Sequence, residues 1–332
     1  MPNKIILAVL FLCTIKIVNT AEINVASECE EDSKLKLIAF SNPDKELICV
    51  GANLTTTWVL SSERTEDLTK KNIQFISSKG ILQKWTLNKY PFLKTIVIYK
   101  SEITEYSLKV PFASRLLIIE TIFPVLTKTT LDQSRYIYAL DFHSNPDLKF
   151  EYGCFSFLNM LQNLTIYNQT LITINSNTFQ GLIDLKILKL IANKLKNIDK
   201  DTFQSIPKLK ELILENNPIE HLKANISSLI YLEKLSLMNT GLKKINLPLF
   251  FPMKRFKILG LSNTVWGNTK ITNLAIAFPN LRICLANSID KETDILKELF
   301  EEFVDVELRV KKIVRPLDIQ ISSYKYDITG VY

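Results

Sequence analysis

A leucine pattern returns at a near-constant interval through the middle of the chain. Leu185, Leu188, Leu190, Asn193 and Leu195 occupy positions 1, 4, 6, 9 and 11 of a unit. Leu209, Leu212, Leu214, Asn217 and Ile219 repeat it 24 residues later, and Leu232, Leu235, Leu237, Thr240 and Leu242 follow after 23 more. Upstream, Leu161, Leu164, Ile166, Gln169 and Leu171 fit, as do Ile137, Leu140, Phe142 and Asn145. Downstream, Phe256, Leu259 and Leu261 fit, then Leu281 with Cys284 in the inward slot at position 4. Weaker units begin near Leu93 and Ala113. Self-similarity at this period implies a solenoid, because a short unit buries its apolar face only against its neighbours.

The spacing within a unit fixes its local structure. Positions 4 and 6 flank one residue of opposite orientation, as in a β-strand. Their side chains point into the coil, where each buried leucine contributes about 1.5–3 kcal/mol. At position 9 the chain turns inside the coil. An asparagine amide both donates and accepts there, so it can satisfy backbone groups that leave the sheet. Gln169, Thr240 and Thr264 fall in the same slot and are expected to do this less well.

The chain opens with "MPNKIILAVLFLCTIKIVNTAE", in which Lys4 precedes an apolar run from Ile5 to Cys13. That pattern predicts a secretory signal peptide over residues 1–20. No later run of about 20 uninterrupted apolar residues occurs, so membrane insertion is not expected. Sequons at Asn53, Asn163, Asn168 and Asn225 fit a secreted, extracellular chain. The formal net charge is +7, mostly as scattered lysines, which describes a solvated surface and no nucleic-acid site.

The run L-x-x-L-x-L-x-x-N-x-L, followed by "FQGL" (Phe179 to Leu182) or "FQSI" (Phe203 to Ile206), resembles the extracellular leucine-rich repeat family. The period is similar to that of Toll-receptor ectodomains and related secreted arthropod proteins. The resemblance implies an α/β solenoid, a horseshoe with parallel strands on its concave face. It divides the chain into a signal peptide (1–20), an N-terminal cap (21–70), repeats (71–288) and a C-terminal cap (289–332). Cys29 and Cys49 precede the repeats in a manner similar to the family's cysteine cap, and a disulfide between them is expected in an oxidising compartment. The family's cysteine-rich C-terminal cap is missing. In its place "DKETDILKELFEEFVDV" predicts an amphipathic helix with Ile295, Leu299 and Phe303 on one face and Asp290 as N-cap.

Chemistry elsewhere is sparse. Cys154 and Cys284 sit about six strands apart, roughly 29 Å at 4.8 Å per strand, beyond disulfide reach. Either both are buried thiols, or Cys154 links to another chain. Asp141 and His143 share a strand face and invite an acid–base reading as a hydrolase, yet no nucleophile motif accompanies them. Neither a cofactor motif nor metal-ligand spacing is found, so no cofactor and no metal are expected. The outward positions 3, 5 and 7 offer more. Ile187, Lys189, Ile191, Glu211, Ile213, Glu215, Lys234 and Met238 mix apolar and charged side chains across three units, as a protein-binding surface does. The resemblance implies recognition of a protein ligand, such as a signalling ligand or receptor, by a soluble factor or decoy in immunity or signalling. The alternative is a structural subunit joined through Cys154 or the acidic helix.

Overall fold

A computed structural model describes residues 46–54, 71–83, 92–107, 114–222, 224–242, 247–261, 282–285 and 319–320. The leader, Cys29, Thr264, Leu281 and the expected C-terminal helix lie outside the described residues. Among the described residues twelve parallel strands form one sheet in chain order. They are β1 (Glu46–Val50), β2 (Asn72–Ile76), β3 (Thr95–Tyr99), β4 (Arg115–Ile119), β5 (Ala139–His143) and β6 (Asn163–Tyr167). The second half comprises β7 (Ile187–Ile191), β8 (Glu211–Ile213), β9 (Lys234–Leu237), β10 (Ile258–Leu261), β11 (Arg282–Leu285) and β12 (Ile319–Gln320). β1 falls within the segment expected to be a cap, yet pairs in register with β2.

Register turns the leucine pattern into columns. Leu116, Leu140, Leu164, Leu188, Leu212, Leu235 and Leu259 stack across seven strands. Ile118, Phe142, Ile166, Leu190, Leu214 and Leu237 form the second column, and both columns are fully buried. On the opposite wall Phe155, Phe179 and Phe203 line the core, with Phe179 and Phe203 stacked at 6.4 Å between ring centroids. The repeats approach closely there. A Cβ on Gly181, at φ +92°, would lie 2.5 Å from the Ser156 carbonyl oxygen, so only glycine fits.

The chain returns through turns and short 3-10 helices at Asp132–Ser134, Ile226–Ser228 and Leu247–Phe250. The α component expected of an α/β solenoid is thus replaced by 3-10 turns in these described segments. A second small sheet of Asn53–Leu54, Lys79–Gln83 and Glu102–Ser107 forms away from the main one. None of the helices among the described residues is long and apolar enough to cross a membrane.

One register expectation is corrected. Cys284 pairs with Gly260, and Ile283 is the residue in register with Leu259. The strands keep a 24-residue step from Ile258 to Arg282, whereas matching Leu281 to Phe256 imposes a step one residue longer.

Strands β2 to β9 end in the same device. Position 8 adopts left-handed geometry at Ser77, Lys100, Glu120, Ser144, Asn168, Ala192, Asn216 and Asn239, with φ between 47° and 56°. Its N–H donates to the carbonyl at the end of the next strand, as from Asn168 to Ile191 and from Ala192 to Glu215. Position 9 then builds a polar ladder through the coil. Asn145 Oδ1 accepts from the Thr121 N–H at 3.0 Å and Asn193 Oδ1 from the Gln169 N–H at 3.2 Å. Gln169 does less, as expected: its Oε1 is buried without a partner.

Candidate functional site

The concave face is built from the outward positions of β4 to β9, and its exposure is uneven. Ile187, Lys189 and Ile191 of β7 are half-buried, as are Glu211 and Lys234 at the starts of β8 and β9. The expected apolar diagonal is shorter than its spacing implies. Ile213 is only 4% exposed and Met238 only 6%. On a concave surface side chains converge, so a residue that alternates outward can still be covered. Gly260 sits close against β9, since a Cβ there would lie 2.6 Å from Ser236 Oγ and 3.4 Å from Met238 Cγ. Glu215 is likewise nearly covered, and its Oε1 accepts from Ser236 Oγ at 2.6 Å. Burial pushes its carboxyl above the usual range, against the pull of Ser236, Lys234 and Lys189.

Asp141 and His143 face different partners. Asp141 is buried and receives Arg115 Nε at 3.0 Å, a partner 26 residues away in sequence. His143 packs against Tyr167, with ring centroids 5.6 Å apart, and its Nε2 is buried without a hydrogen-bond partner. Burial lowers its pKa, with Arg115 and Lys189 acting in the same direction and Asp141 opposing. The shared strand face invites an acid–base pair. The strand register instead places Arg115 one strand away, where it claims the carboxylate. The diagonal charge pair on adjacent strands is the signal that could have found this contact.

Cys154 is buried, and desolvation pushes its thiol up to about 12. A thiol so covered and so reluctant to ionise is poorly placed to join a second chain, which counts against the link through Cys154. Cys49 is buried in β1, and its expected partner Cys29 is outside the described residues. Among the sequons, Asn163 opens β6 and Asn168 is exposed at the strand end, donating to Ser144 Oγ at 2.9 Å. Asn225 is exposed before the Ile226–Ser228 turn, and Asn53 lies in the short strand Asn53–Leu54. No group of acidic, cysteine and histidine residues able to hold a metal occurs among the described residues.

Stacked parallel strands, two leucine columns and an asparagine ladder are the physical content of one repeat type, and the leucine-rich repeat family profile matches residues 159–219. The fold is a leucine-rich repeat solenoid. Among the solved structures that share it, three are similar to this chain at low sequence identity. A chain of the Drosophila Toll–Spatzle complex is 14% identical with a TM-score of 0.53, over 75% of this chain and 31% of that one. A chain of the octameric complex of Latrophilin 3, Unc5D and FLRT2 is 15% identical with a TM-score of 0.52, over 80% and 86%. A leucine-rich repeat protein of Leptospira interrogans is 19% identical with a TM-score of 0.50, over 71% and 60%. The solenoid thus spans less than two thirds of the Toll-complex and Leptospira chains. No curated protein matches the sequence.

Proposed function

We propose that this chain is a secreted, non-enzymatic recognition module that binds a protein ligand through its concave face, in extracellular immunity or signalling. The observation that carries the reading is the patch on β7, where half-buried Ile187 and Ile191 flank Lys189, with Glu211 on the next strand and Lys234 on the one beyond. Apolar side chains bordered by charges of both signs supply affinity through burial and orientation through charge. The extracellular placement rests on the leader and the sequons. A glycan on Asn163 would stand one strand from this patch and confine a ligand to the β7–β9 side.

The test uses the full chain to capture a partner from extracellular fluid, followed by the double substitution Ile187→Asp with Ile191→Asp. Both side chains are half-exposed, so the fold should persist while partner binding falls at least tenfold. Unchanged binding by a folded variant would remove the patch from the reading. Ile213 is unsuitable for this purpose, because a buried aspartate there would unfold the strand for its own reasons.

A further inference from the structure

We infer that the solenoid edge where the chain enters β7 to β10 binds a linear sulfated polysaccharide. The argument starts from the two positions that flank the buried first residue of each unit. Leu185, Leu209, Leu232 and Phe256 are buried, and alternate residues of an extended segment point to the same side. Their neighbours before and after therefore share the edge. Three ion pairs between matching positions of adjacent repeats support this: Lys208 Nζ meets Asp184 Oδ1 at 2.5 Å, Lys257 Nζ meets Glu233 Oε2 at 2.9 Å, and Lys210 Nζ approaches Glu233 Oε1 at 4.0 Å.

The edge carries Lys186, Lys208, Lys210, Arg255 and Lys257 against only Asp184 and Glu233, five cations to two carboxylates. Backbone bonds from Lys210 to the Lys186 carbonyl, Glu233 to Lys210, and Lys257 to Glu233 stack them in file along the solenoid. At about 4.8 Å per strand the file spans roughly 14 Å. Opposite this file, where β7 to β9 end, position 8 reads Ala192, Asn216 and Asn239 and has no charge. The basic character is therefore one-sided.

The same edge also presents flat amphipathic rings. Tyr136 and Tyr138 are exposed in the repeat that enters β5, with Met160 in the next. Tyr231 is exposed within the basic file, and the Arg255 guanidinium lies 5.4 Å from its ring centroid. Exposed rings offer apolar platforms to the faces of sugar rings, and ammonium groups on flexible stems meet sulfates placed at irregular intervals. The row is open and linear, which suits an extended polymer better than a single small anion.

The test measures binding of a heparin oligosaccharide to the full chain at 0.15 M salt. Lys186→Gln with Lys210→Gln and Lys257→Gln should weaken binding at least tenfold. It should also flatten the slope of log affinity against log salt by about 2, by the counterion arithmetic that governs other polyanions. Lys194→Gln with Lys196→Gln and Lys200→Gln removes the same charge from exposed positions outside this edge and should change affinity less than twofold. Tyr136→Ala with Tyr138→Ala should cost a few-fold with no change in salt slope. Equal losses in the two lysine triples would reduce the effect to bulk charge and overturn the proposal. So would full binding by the first triple, or binding to anionic vesicles or single-stranded DNA when the heparin probe fails. The edge is separate from the concave patch. Failure here would leave the Ile187→Asp/Ile191→Asp result standing, and the reverse.

Discussion

The repeats that enter β5 to β8 and those that enter β2 to β4 close the same turn with different side chains. In the later set an amide crosses the coil. Asn217 accepts from the Leu195 N–H at 3.3 Å and donates to the carbonyls of Leu190, Leu214 and Glu215 at 2.6, 3.0 and 3.1 Å. In the earlier set a hydroxyl does the work. Ser101 Oγ accepts from the Ser78 N–H at 3.0 Å and donates to the Tyr99 carbonyl at 2.9 Å. Thr121 Oγ1 accepts from the Ser101 N–H at 3.3 Å and donates to the Ile119 carbonyl at 2.9 Å. A hydroxyl has one proton to give and a shorter reach than an amide. The earlier repeats are also less regular: the step is 23 residues from Asn72 to Thr95 and 20 from Thr95 to Arg115. From Arg115 to Glu211 every step is 24. The lesson is that the ladder is a requirement of the buried backbone, and asparagine is only its most economical donor–acceptor.

The largest expected effect follows from the number of groups each side chain satisfies. Asn217→Ala strands one buried N–H and leaves carbonyls underserved, at about 1–3 kcal/mol for each fully orphaned group. A total loss of about 3–4 kcal/mol in urea unfolding is expected. Ser101→Ala abandons fewer groups and should cost about 1–2 kcal/mol. Equal losses would mean that the ladder does not depend on proton count, and the comparison would collapse.

Irregularity also decided what could be read from the sequence. The units from Ile137 to Leu261 declared themselves through leucine spacing and Asn145, Asn193 and Asn217. The inward residues Ile96, Ile98, Leu116 and Ile118 were legible as well. The ladder beneath them was not, because Ser78, Ser101 and Thr121 look like any polar turn residue and their spacing drifts. β1 was hidden for the same reason. On the concave face, alternation found which side chains point outward, including Ile187, Lys189 and Ile191. It did not find that Ile213 and Met238 are covered, since exposure depends on the neighbours that converge on them. Nor did it pair Arg115 with Asp141, a contact set by register.

A swap sharpens the comparison. Ser101→Asn supplies the amide of the later repeats to the 20-residue step. If chemistry alone separated the two sets, stability would rise. The shorter step leaves less width for a longer side chain, and overpacking typically costs about 1–3 kcal/mol. A loss of about 1–2 kcal/mol is expected by chemical denaturation. A gain would show that the earlier repeats have room for asparagine and simply lack it.

The smallest effect concerns position 8, where both sets force left-handed geometry on the chain. Asn168, Asn216 and Asn239 tolerate that region, but Ala192 (φ 54°) and Glu120 (φ 47°) have a Cβ that opposes it. Ala192 has no polar side chain to lose, so Ala192→Gly reports the backbone cost alone. Relief of left-handed strain is worth about 1–2 kcal/mol, less roughly 0.5–1 for the extra freedom glycine gains when unfolded. A net stabilisation of about 0.5–1 kcal/mol should appear. Glu120→Gly gains the same relief but surrenders the contact with Lys100 at 3.8 Å, a partly exposed pair worth about 0–1 kcal/mol. Its net gain should therefore be smaller than that of Ala192→Gly by up to the value of the pair. In 1 M salt, where screening removes most of that pair, the two variants should converge. A persistent gap would mean that Glu120 is held by something other than its charge, and a loss in Ala192→Gly would show that position 8 carries no strain in the later repeats.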